Sequence, residues 1–239
     1  MTEKRKFRVL LVIAGLPAGG AERQTAMLAR HLDRREFEVG LLIFNAAAKV
    51  HYTEIFDTEL WFRTLELSHD DGVLLFPRLI RGLGRAVADF APDVIHASLN
   101  VANHATRIAG LLFRWRIPVI TSVRIDFRAG YARRDKWLER LLWRRSAHLL
   151  CTASRTRDPL IEDLGVPPGR ISMIANGLDD AFFGDAETTP PAWWPPGKVA
   201  LTVGRFTPQK NHLALVDAIA ELARRDALAD WAFVFLGEG

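Results

Sequence analysis

The chain has 239 residues, of which 49% are hydrophobic and 25% charged, and its formal net charge is +4. This composition excludes disordered, fibrous and small disulfide-stabilised proteins, and a single cysteine, Cys151, leaves no intramolecular disulfide. No uncharged apolar run approaches the roughly 18 residues that a membrane-spanning helix needs. We therefore expect a soluble, cytoplasmic protein, at most peripheral at the inner face of a membrane.

Short apolar runs alternate with longer segments of helical periodicity along the first three quarters of the chain. The predicted strands are 8–14, 38–44, 93–97, 118–123, 148–152 and 171–175. The predicted helices are 21–32, 74–90, 103–115, 135–146 and 155–164. Because right-handed crossovers join parallel strands, this order predicts an α/β domain over residues 1–178, with a mostly parallel sheet covered on both faces.

A change of composition follows at residues 179–197, which contain four prolines and two adjacent tryptophans and are therefore predicted to be an ordered linker. A strand at 198–203, a helix at 212–225 and a strand at 231–236 then predict one βαβ unit. Since one helix cannot cover both faces of a sheet, we expect residues 198–239 to be the incomplete start of a second α/β domain.

A glycine-rich loop, residues 15–20 (GLPAGG), joins the first predicted strand to the first predicted helix. Glycines at this position bring backbone amides close to an anion at a helix N-terminus. The loop is not G-x-G-x-x-G, and Asn45 rather than an acid follows the second strand, so the sequence does not predict a dinucleotide site. A plain strand-to-helix turn explains the loop equally well.

Two cations, Arg205 and Lys210, follow the first strand of the second βαβ unit. Open α/β sheets bind ligands at this edge, and a diphosphate suits the pair because arginine grips two oxygens while lysine supplies a mobile charge. Taken alone, two solvated surface cations are the commoner interpretation.

Four segments occur in an order and at spacings that resemble the retaining glycosyltransferases of family 4, which have the GT-B fold. They are residues 19–23 (GGAER), 91–96 (APDVIH), 174–179 (IANGLD) and 203–211 (VGRFTPQKN). The resemblance extends over essentially the whole chain and is most specific in the last segment. It implies two facing Rossmann-like domains, the first receiving a saccharide or lipid-linked acceptor and the second holding a nucleotide-diphospho-sugar, in glycan or glycolipid biosynthesis. The paired glutamates of the family's second domain would lie beyond Gly239, which implies a fragment.

Carried over by position, the resemblance makes Arg205 and Lys210 the catalytic pair that contacts the donor diphosphate. The residues assigned to substrate binding are Gly15, Gly19, Gly20, Arg124, Asn176 and Gly177. Arg124 stands where the family commonly has a histidine, and Asn176-Gly177 is also explained by a tight turn alone. No metal and no cofactor besides the donor substrate is implied.

Residues 131–146 form a basic segment with leucines and tryptophans at helical spacing, and residues 124–145 hold eight basic and three acidic side chains. Such a helix either rests on an anionic membrane or covers the sheet with its arginines in water, and the second interpretation is slightly favoured. His96 and His104 are more typical of hydrogen-bonded structural histidines, and Cys151 of a small core residue.

Three other functions remain open. A nucleotide-sugar epimerase of the same fold would share the phosphate contacts but add carboxylates that move protons or activate water. A non-catalytic binding module is the alternative if the chain ends at residue 239. A nucleic-acid binder is not expected, because the basic segment lacks aromatic-lined strands and any recognition motif.

Overall fold

The computed structural model describes residues 5–45, 50–67, 75–183 and 189–238. The chain divides into two compact units, Met1–Phe182 and Phe183–Gly239. The division lies inside the segment predicted as a linker.

The first unit is built on a seven-stranded sheet in which every neighbouring pair of strands is parallel, in the order β3-β2-β1-β4-β5-β6-β7. The strands are β1 (Phe7–Ile13), β2 (Phe37–Ile43), β3 (Trp61–Thr64), β4 (Val94–Ser98), β5 (Val119–Val123), β6 (His148–Cys151) and β7 (Ile171–Met173). The helices are α1 (Gly20–His31), α2 (Leu75–Phe90), α3 (Asn100–Leu112), α4 (Arg133–Leu142) and α5 (Ser154–Leu164). The predicted α/β class with a parallel sheet is confirmed.

The strand order places the helices unequally on the two faces. From β1 the chain moves outward to β2 and β3, then returns to the other side of β1 and continues to β7. Because every crossover is right-handed, the two directions put their helices on opposite faces. Helices α2 to α5 pack on one face, whereas α1 packs on the other face over β1 and β2. The sequence predicted helices on both faces of the sheet. Within the described part of this unit, helical cover of the second face is limited to α1, over β1 and β2.

Two features of the first unit differ from the sequence prediction. The edge strand β3 was missed, because four half-buried or exposed residues are too few to show a two-residue period. Helix α4 ends at Leu142 and is followed by a 3-10 turn, Trp143–Arg145, where one continuous helix to residue 146 was predicted. The switch point between β1 and β4 is the place where an open sheet of this kind forms a ligand crevice.

The second unit contains one βαβ motif, formed by β8 (Lys198–Val203), α6 (His212–Arg224) and β9 (Trp231–Leu236). The two strands are parallel and in register over their whole length. None of the residues described in this unit belongs to the buried core. The three elements agree with the prediction for residues 198–236.

Candidate functional site

The glycine loop of the first unit is held in place by a tyrosine that the sequence analysis did not single out. Gly15 is buried after β1, and Gly19 is the N-cap of α1, with an extended backbone. The hydroxyl of Tyr52 donates a hydrogen bond to the carbonyl of Gly19 (2.9 Å) and accepts one from its amide (3.2 Å). Tyr52 lies 33 residues from Gly19, so no local pattern could have revealed this clamp.

The N-terminus of α1 is open to a ligand. A side-chain carbon built on Gly20 would meet no atom within 4 Å, and the first helical hydrogen bond joins the amide of Arg23 to the carbonyl of Gly19 (2.9 Å). The amides of the first turn therefore have no helical partner, and the helix dipole favours an anion there. The carboxylate of Glu22 lies against the Cα of Gly19. The loop thus offers donors to phosphate and one acceptor to a hydroxyl group.

Three other predicted residues meet beside this helix. A guanidinium nitrogen of Arg124, just after β5, donates to the side-chain oxygen of Asn176 (2.7 Å). Burial lowers the pKa of Arg124, and the charge of Glu22 opposes that effect. Gln24 of α1 makes two hydrogen bonds of 2.8 Å with the backbone of Gly177, one through each polar atom of its amide.

The structure therefore brings the segment after β7 against α1 through side chains that are far apart in sequence. The tight turn predicted at Asn176-Gly177 is wrong, because neither residue has a positive φ and no turn is assigned there. In a tight turn, Asn176 and Gly177 would make hydrogen bonds to residues next to them in sequence. Here they bond instead to Arg124 and Gln24, which lie on neighbouring elements.

A cavity of about 320 Å³ lies between α1 and the adjoining face of β4 to β6, and Arg124 is one of its lining residues. In its wall, Nε2 of His96 is 2.8 Å from Oγ of Ser122. Burial, aided by the charge of Arg124, lowers the pKa of His96 to about 4. His96 is therefore neutral at pH 7 and hydrogen-bonded, as expected of a structural histidine.

The lowered pKa of His96 predicts a loss of stability in acid. In the unfolded chain the imidazole takes up a proton near pH 6.5, whereas in the folded protein it resists protonation down to about pH 4. Between pH 7 and pH 5 the wild type should therefore lose about 2 kcal/mol of unfolding free energy through this residue, and His96→Asn should not. Urea unfolding of both proteins at the two pH values measures the difference.

The control is the same substitution at exposed His31, which also removes an imidazole. Parallel pH profiles of stability for wild type and His96→Asn would contradict the lowered pKa of His96.

In the second unit, the two predicted catalytic cations lie in one loop at the carboxyl end of β8. Arg205 and Lys210 are both exposed, and the methylenes of Lys210 lie in van der Waals contact with the position of a Cβ on Gly204 (3.5 Å). Asn211, with a φ of 52°, ends the loop and is the N-cap of α6. The loop therefore presents both charges at the strand edge where a ligand is expected, and their catalytic role remains a prediction.

Gly237, to which the sequence analysis gave no role, shapes this loop. The amide of Gly204 donates to the carbonyl of Leu236 (2.9 Å), and the amide of Phe206 donates to that of Glu238 (2.9 Å). A Cβ on Gly237 would overlap the carbonyl oxygen of Gly204, so the two backbones can approach only because residue 237 is glycine. The available signal was a glycine directly after a strand that neighbours the candidate ligand loop.

The remaining candidates are structural. His104 lies 3.0 Å from the carboxylate of buried Glu139. Cys151, the last residue of β6, is buried in the core, and burial raises the pKa of its thiol to about 12, which confirms the core interpretation. In the described ranges no three His, Cys, Asp or Glu side chains come together as a metal site would require. No helix in the same ranges is both long and apolar enough to cross a bilayer.

Comparison with known proteins identifies the family. The family model described as Glycosyltransferase Family 4 matches residues 18–182. A galactosyltransferase of Escherichia coli, named UDP-Gal:alpha-D-GlcNAc-diphosphoundecaprenol alpha-1,3-galactosyltransferase, is 23% identical over 232 residues, covering 92% of this chain and 59% of its own length. An N-acetylgalactosaminyltransferase of Campylobacter jejuni, named for a diphospho-undecaprenol acceptor, is 26% identical and covers 96% of this chain and 62% of its own. The chain thus spans about three fifths of the length of these relatives.

Solved structures with the same fold include a protein in complex with UDP and an epimerase. Anabaena HepE in complex with UDP superposes with a TM-score of 0.67 at 17% identity, covering 96% of this chain and 69% of that one. UDP-GlcNAc 2-epimerase of Neisseria meningitidis, bound to UDP-GlcNAc, superposes with a TM-score of 0.64 at 16% identity, covering 96% and 65%. These similarities confirm the GT-B-like fold class, and the family match, which extends over well over half of the sequence, shows that the chain belongs to Glycosyltransferase Family 4.

Proposed function

We propose that this protein transfers a sugar from a nucleotide-diphospho-sugar to a lipid-linked saccharide, with retention of configuration, in glycolipid or polysaccharide biosynthesis. The observation that carries the proposal is the open N-terminus of α1 beside Arg124 and the Asn176-Gly177 segment, inside the stretch that matches Family 4. The names of the two curated relatives, both transferases acting on diphosphoundecaprenol-linked sugars, support this class of acceptor.

The proposed chemistry needs charge stabilisation more than acid or base catalysis. The bond between the anomeric carbon and the diphosphate breaks, the acceptor hydroxyl oxygen bonds to that carbon, and the proton of the hydroxyl passes to the leaving diphosphate. Negative charge grows on the leaving diphosphate, where Arg205 and Lys210 of the second unit would stabilise it. In the first unit, the amides of α1 and the guanidinium of Arg124 would bind phosphate or hydroxyl groups of the substrates.

We place the protein at the inner face of the membrane through the basic segment 131–146. On α4 the side chains of Trp137 and Leu141 are 60% and 57% exposed. Arg140 of α4 and Arg144 of the turn that follows it are exposed as well. Glu139 of the same helix is fully buried. The helix therefore packs on α3 with one side and presents aromatic, aliphatic and basic groups on the other, a composition suited to an anionic lipid surface.

A transfer assay with the purified protein tests the activity. UDP-sugars are the first donors to try, because HepE and the epimerase were solved with UDP or a UDP-sugar. With a synthetic diphospholipid-linked N-acetylhexosamine as acceptor, we expect UDP release that depends on the acceptor, and NMR should show the donor's anomeric configuration retained in the product.

Other outcomes of the same assay identify the alternatives. Free nucleotide formed without acceptor would favour the epimerase, whose fold this chain shares. Calorimetric binding of the UDP-sugar without any turnover would favour a non-catalytic binding module. An inverted product would overturn the retaining mechanism.

A further inference from the structure

A second surface with the character of an interfacial site lies away from the candidate functional site. A groove of about 620 Å³ separates the second half of α2 from the turn between α3 and β5. Its apolar lining includes Val87, Ala88, Pro92, Phe113, Trp115 and Ile117. Pro92 and Ile117 each lie two residues before the start of a strand, β4 and β5, so the groove lies at the amino ends of the strands, opposite the edge that carries the glycine loop.

The groove is formed by close aromatic packing on a helix backbone. A Cβ on Gly84 would lie 2.7 Å from the ring of Phe113, so the ring reaches α2 only because residue 84 is glycine. The rings of Phe113 and Trp115 are stacked with centroids 6.1 Å apart. Even so, Phe113 is 47% exposed, and the two residues before it, Leu111 and Leu112, are 45% and 62% exposed. Three consecutive large apolar side chains thus remain in contact with solvent at the end of α3, an arrangement typical of a binding surface.

Cations surround this apolar surface. Arg81 and Arg85 line the groove from α2, and Arg114 and Arg116 flank Trp115 on the turn. All four are exposed. Across the described stretches of the chain, none of the four lies within 4 Å of a carboxylate. Their charges are therefore available to an anionic partner.

The groove and the exposed side of α4 belong to one layer of the first unit. Helices α2, α3 and α4 are successive neighbours on the same face of the sheet. Arginines around Phe, Trp and Leu side chains match the boundary between lipid headgroups and acyl chains, where phosphates bind the cations and the apolar groups leave water.

We propose that the groove and its four arginines form a second contact with an anionic bilayer, with Leu111, Leu112 and Phe113 entering the headgroup boundary. This inference rests on the proposed function only in placing the protein at a membrane. Vesicle binding requires no turnover, and transfer to a detergent-solubilised acceptor requires no bilayer. The failure of one proposal is therefore distinguishable from the failure of the other.

Sedimentation with vesicles tests the contact. The wild type should bind vesicles of phosphatidylcholine with phosphatidylglycerol at low salt, should bind pure phosphatidylcholine weakly, and should lose most binding at high salt as screening shortens the Debye length. Each cation near the surface contributes about fivefold to the partition coefficient, so Arg81→Gln/Arg85→Gln should lower it by about 25-fold. Leu112→Ser, a change at a side chain mostly in solvent, should weaken binding several-fold at both salt concentrations.

Two matched variants decide between outcomes. Arg224→Gln/Arg225→Gln removes the same charge from the C-terminal end of α6 and should bind like the wild type, and thermal unfolding should show all variants folded. Groove variants that bind as tightly as this control would overturn the proposal, and so would loss of binding in Arg140→Gln/Arg144→Gln alone, which would leave α4 as the contact. Equal binding to neutral and anionic vesicles would also overturn it. A dimer that Leu112→Ser dissociates, with vesicle binding unchanged, would assign the groove to a second copy of the chain.

Discussion

Replacing Arg107 with methionine is expected to lower the free energy of unfolding by about 3–5 kcal/mol, because it leaves a carboxylate buried without its counter-ion. The side chains of Arg107 and Glu139 are both 0% exposed, and Nη1 of the arginine lies 2.8 Å from Oε2 of the glutamate. The other guanidinium nitrogens of Arg107 donate to Ser146 (2.7 Å) and to Thr121 (2.8 Å). One buried arginine therefore joins α3, α4, β5 and the turn before β6.

Acid should reduce this difference between wild type and variant. Burial by itself would raise the pKa of Glu139, but Arg107 and His104 outweigh it and lower the pKa to about 2. The wild type therefore keeps the stabilisation of the ionised carboxylate above about pH 4.5 and loses it as the pH falls toward 2. In Arg107→Met the carboxyl keeps only His104 as a partner and takes up a proton more readily, so the cost of burying its charge is relieved at low pH.

Urea unfolding at pH 7 and pH 4, followed by circular dichroism, measures both effects. Arg107→Met/Glu139→Leu should recover most of the lost stability, because an apolar pair of similar volume needs no counter-ion. The matched control is Arg128→Met, which removes an exposed arginine paired with Glu162 and Asp163 and should change stability little. A loss in Arg107→Met no greater than that in the control would contradict the role of the buried pair.

Arg205→Ala and Lys210→Ala are each expected to lower kcat/KM for sugar transfer by at least ~100-fold, if the proposed function holds. Each substitution removes a cation that the proposed function assigns to the leaving diphosphate. Negative charge develops on that group in the transition state, so the loss of a stabilising cation lowers the rate of transfer. Both side chains are exposed in a unit whose described residues include none in the buried core, so the substitutions should not unfold it.

Steady-state kinetics with varied donor concentration measures the effect. Arg205→Lys tests whether the fork of the guanidinium matters beyond its charge, since lysine provides only a point charge. Arg224→Ala, on the helix of the same unit, is the matched control and should keep full activity. Wild-type kinetics in both loop variants would move the donor site elsewhere.

The sequence by itself determined the class of fold and the location of the two loops proposed to bind ligands. Apolar runs that alternate with helical periods are local signals, and they predicted every strand of the sheet except the short edge strand β3. The glycine loop and the Arg205 to Lys210 loop were placed correctly at strand ends for the same reason, since glycine and charge after an apolar run are visible without any tertiary contact.

Only the tertiary structure decided which side chains act together. Tyr52 clamps Gly19, Gln24 holds Gly177 and Arg124 meets Asn176 across separations of 33 to 153 residues, which depend on the order of strands in the sheet. The basic segment shows most clearly what a sequence pattern leaves undetermined. In the sequence, its Glu139 looks the same as an acidic residue on the solvent-exposed side of a helix. Its burial is set by Arg107, an ion-pair partner 32 residues away on α3, because a buried charge requires a partner that no local pattern specifies.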